Sequence, residues 1–161
     1  MSVLRDIAAT YGGPHKVVAR HLAMGQREDR TLVILMAACV IFFVSTWPQN
    51  ARIAHLEGQE LNPLMGGSLM AWIFIAPLVF YILATVVGVI LKMFGWKGGG
   101  YGSRVALFWA LLAASPLVLL NGLVAGFIGP SVQQTLVGAI WFGFFLWFWT
   151  AGLRQAGRVE A

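Results

Sequence analysis

Polar and apolar residues follow one another along this chain in long blocks, not in short alternation. Charge-free intervals run from Thr31 to Ala51, from Leu61 to Leu91 and from Val105 to Leu153. A helix needs about 20 mostly apolar residues to cross ~30 Å of hydrocarbon. The first interval predicts one such helix over 31–47, ended by the turn chemistry of Pro48-Gln49-Asn50. The second predicts a helix over 68–91, entered through Pro63 and Gly66-Gly67. The third is too long for one helix. It divides at Gly129-Pro130-Ser131, followed by Gln133-Gln134, into helices over 105–128 and 135–153. Backbone groups in lipid have to satisfy one another, which requires helices here. The expected fold is therefore an all-α polytopic membrane protein. It has an amphipathic cytoplasmic segment (1–30), a four-helix transmembrane domain (31–153) and a cytoplasmic tail (154–161).

Charge sets the expected orientation. Arg5, Lys16, Arg20, Arg27 and Arg30 precede the first span, Lys92, Lys97 and Arg104 join spans two and three, and Arg154 and Arg158 follow the fourth. The two other connections hold only Arg52. Basic loops stay cytoplasmic, so both termini are expected inside. Composition agrees: 59% of residues are hydrophobic and 11% charged, against about a quarter charged in soluble domains. The net charge of +5 does not imply nucleic-acid binding, because the basic residues fall between apolar runs and membrane orientation explains them. Cys39 is the only cysteine, so it forms no internal disulfide. Met1 to Arg30 has no unbroken apolar core and contains Asp6, Glu28 and Asp29, which is not the pattern of a signal peptide.

The stretch Pro14 to Leu22 begins with a proline suited to a first helical turn. Val17, Val18 and Leu22 line one side while Lys16, Arg20 and Arg27 reach outward. This signature fits a helix lying on the inner leaflet and equally a cap packed under the bundle. Lys16, Arg20, Arg27, Lys97 and Arg104 are the expected inner-leaflet contacts. Trp47, Trp72, Trp96 and Trp149 fall near predicted helix ends, as headgroup anchors do. Trp109, Trp141 and Trp147 lie deeper, where packing between helices is expected.

Chemistry-bearing residues are sparse. Every Asp, Glu, Lys, Arg and His lies outside the predicted spans, which disfavours a buried-carboxylate proton path. No catalytic, cofactor or metal set is expected: His15 and His21 fall on different helical faces, and no span holds a base for Ser68. The run Gly98-Gly99-Gly100-Tyr101-Gly102 lacks phosphate-loop spacing and reads as a flexible turn. Pro77 and Pro116 fall near the middle of their helices and predict kinks, or alternatively a transport site built on interrupted helices. Gly122-x-x-x-Gly126 and Ala84-x-x-x-Gly88 place small residues one turn apart, a packing face suited to contacts within or between chains. Asn121 and Thr85 are expected to add interhelical hydrogen bonds.

Three segments carry a family likeness. They are Pro14 to Leu22, then Gly100-Tyr101-Gly102-Ser103-Arg104 leading into Leu112-Ala113-Ala114-Ser115-Pro116-Leu117, and the closing helix from Ile140-Trp141 to Gly152-Leu153. Through them the chain resembles the bacterial branch of the Yip1 family of membrane proteins. Eukaryotic members typically have five spans and contact small GTPases in vesicle traffic; four spans are readable here. The resemblance implies a small non-enzymatic protein of the bacterial inner membrane, working through lipids and a membrane-protein partner or self-association. The expected role is scaffold, accessory subunit or membrane-organising factor. A small transporter or channel component is the alternative.

Overall fold

A computed structural model describes residues 2–159. The termini of the expected N-terminal segment and tail, residue 1 and residues 160–161, lie outside them. Among the described residues all regular structure is helical: α1 (Val3–Gly12), α2 (Pro14–Ala23), α3 (Glu28–Ser45), α4 (Trp47–Glu57), α5 (Leu61–Leu69), α6 (Ala76–Met93), α7 (Gly100–Phe127) and α8 (Val132–Val159). A π-helical turn, Met70–Ile75, joins α5 to α6. Four stretches are long and apolar enough to cross a membrane: Glu28–Glu57, Leu61–Met93, Gly100–Phe127 and Val132–Val159.

Helix α7 is the centre. From Tyr101 to Ser115 every residue except Arg104 is buried, because α1, α2, α3, α6 and α8 all pack on this half. Beyond Pro116 only Gly122 and Ala125 are buried. There α7 meets the junction of α3 and α4, and its small residues set how close the backbones come. A Cβ on Gly122 would overlap the Ser45 carbonyl, and one on Gly126 would overlap Pro48. The other small-residue face works similarly: Ala84 and Gly88 are the only buried residues of α6. The Ser103 hydroxyl donates to the Ala84 carbonyl at 2.6 Å, and a Cβ at Gly88 would press on Ser103. Both faces close within one chain.

The prolines interrupt the spans less than the sequence suggests. Pro48 ends no span; it occupies the first turn of α4, where its missing N–H costs little. Ser45 and Thr46 donate to the Phe42 and Phe43 carbonyls at 2.6 and 2.7 Å, bridging the junction. Asn50, expected in a turn, is helical and donates to the Ser68 hydroxyl at 2.7 Å. Pro77 follows the π turn, in which the Ala76 N–H bonds the Ala71 carbonyl five residues back. That widening accommodates the proline ring without breaking the helix. At the far end, Arg52 donates to the last carbonyls of α7, Gly126 and Phe127, a favourable place for a cation.

The glycine run is not a loose turn. Gly98 is buried under the Trp96 indole, and Gly100 to Gly102 already belong to α7. The Trp96 Nε1–H donates to the Leu153 carbonyl at 3.1 Å, so a side chain at position 98 or 157 would displace the ring. Thr85 and Asn121 also differ from expectation. Thr85 bonds the Tyr81 carbonyl of its own helix, and Asn121 leaves its Oδ1 buried without a partner.

If the Gly122 contact holds α7 to α3, Gly122→Ala should destabilise the fold by about 3 kcal/mol through overpacking against backbone. Gly143→Ala, whose Cβ meets nothing within 4 Å, should be neutral or stabilising by up to about 1 kcal/mol. Thermal unfolding in detergent, followed by circular dichroism, ranks the two; equal transitions would remove the contact from the account.

Candidate functional site

The N-terminal segment folds as a helical hairpin against the bundle. Gly13 leaves the helical conformation, with φ −179° and ψ 79°, and Pro14 opens α2, so the chain reverses between α1 and α2. Asp6 and Arg20 pair across the hairpin at 2.9 Å. Val17 and Val18 are each 1% exposed, so of the two arrangements open to this segment the side chains take that of a packed cap. Its polar groups reach α7. The Trp109 Nε1–H donates to the Thr10 hydroxyl at 3.1 Å, and that hydroxyl donates in turn to the Asp6 carbonyl at 2.7 Å. The Tyr11 hydroxyl donates to the Ala113 carbonyl at 3.1 Å. Pro116 deprives the adjacent Leu112 carbonyl of its usual helical donor, so Tyr11 meets α7 where its hydrogen bonding is weakest. Burial pushes the Tyr11 phenol above its ordinary value, which keeps the donor protonated.

Between this hairpin, α3 and α7 lies a cleft of about 590 Å³. Its walls are apolar, with Val33, Ile34 and Ala37 on α3 and Trp109 and Leu112 on α7. Arg30, the Arg20–Asp6 pair and the His21 ring also line it, so that its polar side carries a net positive charge. His21 lies against Trp109, ring centroids 4.4 Å apart, and both its ring nitrogens are buried without a hydrogen-bond partner. Among the described residues Arg30 reaches only the Met24 sulfur, at 2.9 Å, and no carboxylate lies in ion-pair range of it. A smaller cavity of about 250 Å³ lies toward the other end, between Trp72, Val118, Asn121 and Trp141. Two buried groups there lack partners, the Asn121 Oδ1 and the Trp141 Nε1.

The expected inner-leaflet residues divide. Arg20 pairs with Asp6, Arg27 with Asp29 at 3.4 Å, and Arg104 with Glu28, tying α7 to α3. Lys16 and Lys97 are exposed. Among the tryptophans, Trp72 sits in the π turn, not at a helix end, and Trp147 is 46% exposed although deep packing was expected. His21 and Arg30 were not expected to share a site. The signal lay in the pattern of α2, where His21 borders the buried Val17–Val18 face. No group of three or more His, Cys, Asp or Glu side chains that would hold a metal occurs among the described residues. The cleft is equipped for binding: an apolar well under a cationic rim, with no nucleophile aligned on His21. No family model, curated protein or solved structure matches the chain.

Burial lowers the proton affinity of His21; Asp6 opposes this, and Arg30 and Arg20 reinforce it. The fold therefore favours the neutral imidazole. Its stabilisation is complete above the ordinary histidine value of 6.5 and is lost as pH falls below it. Amide exchange over residues 3–23, corrected for intrinsic rates, should lose protection on acidification through that range. His21→Phe should flatten the dependence; an unaltered profile would place the titration elsewhere.

Proposed function

We propose that this chain is a non-enzymatic integral protein of a bacterial cytoplasmic membrane. It serves as a scaffold, accessory subunit or membrane-organising factor through helix–helix and lipid contacts, with both termini inside. The observation that carries this reading is the cleft. Its apolar walls and cationic rim suit an amphiphile, and the hydroxyls of Thr10 and Tyr11 are engaged in holding the hairpin to α7. The concentration of basic residues at the hairpin end supports the orientation. The likeness to the bacterial Yip1 family fits the same role. Extraction of the tagged chain with its native lipids into nanodiscs, followed by proteomics and lipid analysis, should recover a near-stoichiometric membrane-protein partner or an enriched lipid class. Recovery of neither would overturn the proposal.

A second reading, a small transporter or channel component, is favoured by the cavity at Asn121. That cavity joins Trp72 of the π turn before Pro77 to Val118, just beyond Pro116, and leaves two buried polar groups unpaired. Interrupted helices lining a cavity at depth are how transporter sites are built. In this case Asn121→Leu should reduce flux of a small polar solute in proteoliposomes by roughly tenfold, about 1.4 kcal/mol for one lost buried hydrogen bond. Equal flux in the variant and the parent would remove this reading.

A further inference from the structure

We propose that the cleft between α1, α2, α3 and α7 holds one anionic membrane lipid, its headgroup on Arg30 and His21 and an acyl chain along Val33, Ile34 and Ala37. The inference rests on the reading that the protein works through lipid and helix contacts, and it names the lipid class and the site. Three observations carry it.

The first is the pair of unpartnered nitrogens on His21. In the neutral imidazole one of these nitrogens is a donor, and a buried donor left unsatisfied carries a desolvation penalty; a turn of the ring toward the mouth would bring that N–H to an anionic oxygen. The second is Arg30. Of the two arginines that line the cleft, Arg20 is paired with Asp6, while Arg30 has no carboxylate partner among the described residues. Arg30 has only a thioether, so its guanidinium keeps donors for a phosphate, the group it matches best. The third is shape. From Arg30 to Ala37 the cleft follows seven residues of α3, about 10 Å at ~1.5 Å per residue, roughly a third of the hydrocarbon thickness. Its volume of about 590 Å³ falls among ordinary ligand sites. Val33, on its wall, is 66% exposed, which leaves a lateral opening through which a chain enters from the bilayer. Charge selects an acidic headgroup over a zwitterionic one, since Asp6 at the same mouth is already held by Arg20.

The test uses the full chain in nanodiscs of equimolar phosphatidylglycerol and phosphatidylcholine, with lipid retained after gentle extraction counted by native mass spectrometry. The parent should keep one phosphatidylglycerol in preference to phosphatidylcholine. Arg30→Gln should lower that occupancy about fivefold, the worth of one cation near an anionic surface. Ala37→Phe, which fills the floor of the cleft, should abolish it, and Lys92→Gln, on an exposed helix end, should leave it unchanged. Circular dichroism checks each variant, and if Ala37→Phe fails to fold, Arg30→Gln decides alone. A parent that prefers phosphatidylglycerol while Arg30→Gln and Ala37→Phe retain it equally would overturn the cleft as the site, leaving the broader lipid-contact role in place. A parent with no preference between the two lipids would overturn the anionic-lipid assignment. The broader role would then fail as well if native extraction also yields neither partner nor lipid.

Discussion

One half of one helix organises this protein. Between Tyr101 and Ser115, every residue of α7 except Arg104 is enclosed by other helices. The first half of this helix therefore owes its environment to other helices and not to lipid. Without a hydrophobic driving force between helices in a bilayer, association depends on close packing and on polar groups that bond across the contact. Both occur around this half: Ser103 to Ala84, Thr10 to Trp109, Tyr11 to Ala113, Tyr101 to the Gly25 carbonyl and Arg104 to Glu28. Together these bonds fix α1, α3, α6 and the turn after α2 to α7, and the cleft lies between α3 and the hairpin seated on α7 and α8.

The second span contrasts with this. Apart from Ala84 and Gly88, nothing between Leu61 and Met93 is buried. Phe74, Leu78, Ile82, Val86 and Val89 all face outward, as suits a helix bathed in lipid. A seam of small residues, the Ser103 and Asn50 hydrogen bonds and the ring contacts of Trp72 and Tyr81 hold it to the rest. The bundle is thus uneven in cohesion, with a tightly enclosed α7 and a peripheral second span.

The four spans were legible because a charge-free block of sufficient length has one solution in a bilayer, and their small-residue faces were legible from spacing. Less could be read where the deciding partner is remote. The side chains that seat the hairpin bond residues 99 and 102 positions away, and no local pattern in Val3 to Ala23 announces them. Pro48 read as a stop because turn chemistry and a first helical turn share the same residue type; the hydroxyls of Ser45 and Thr46 tip the balance. The glycines near Trp96 read as flexible because composition cannot tell a linker from a surface cleared for an indole ring. The site itself was the least legible, since His21 and Arg30 acquire a common ligand-facing mouth only when α2 and α3 are both placed on α7.

The seat of Tyr11 has a consequence for biogenesis. Tyr11 leaves the ribosome 102 residues before its acceptor, Ala113. At ordinary synthesis rates that interval is on the order of ten seconds. Throughout it the hairpin lacks the α7 partners of Thr10 and Tyr11, while the first two spans are being made. The earliest part of the chain therefore cannot dock until the third span has been made. Its amphipathic pattern gives it somewhere to wait, at the membrane surface, until the third and fourth spans arrive.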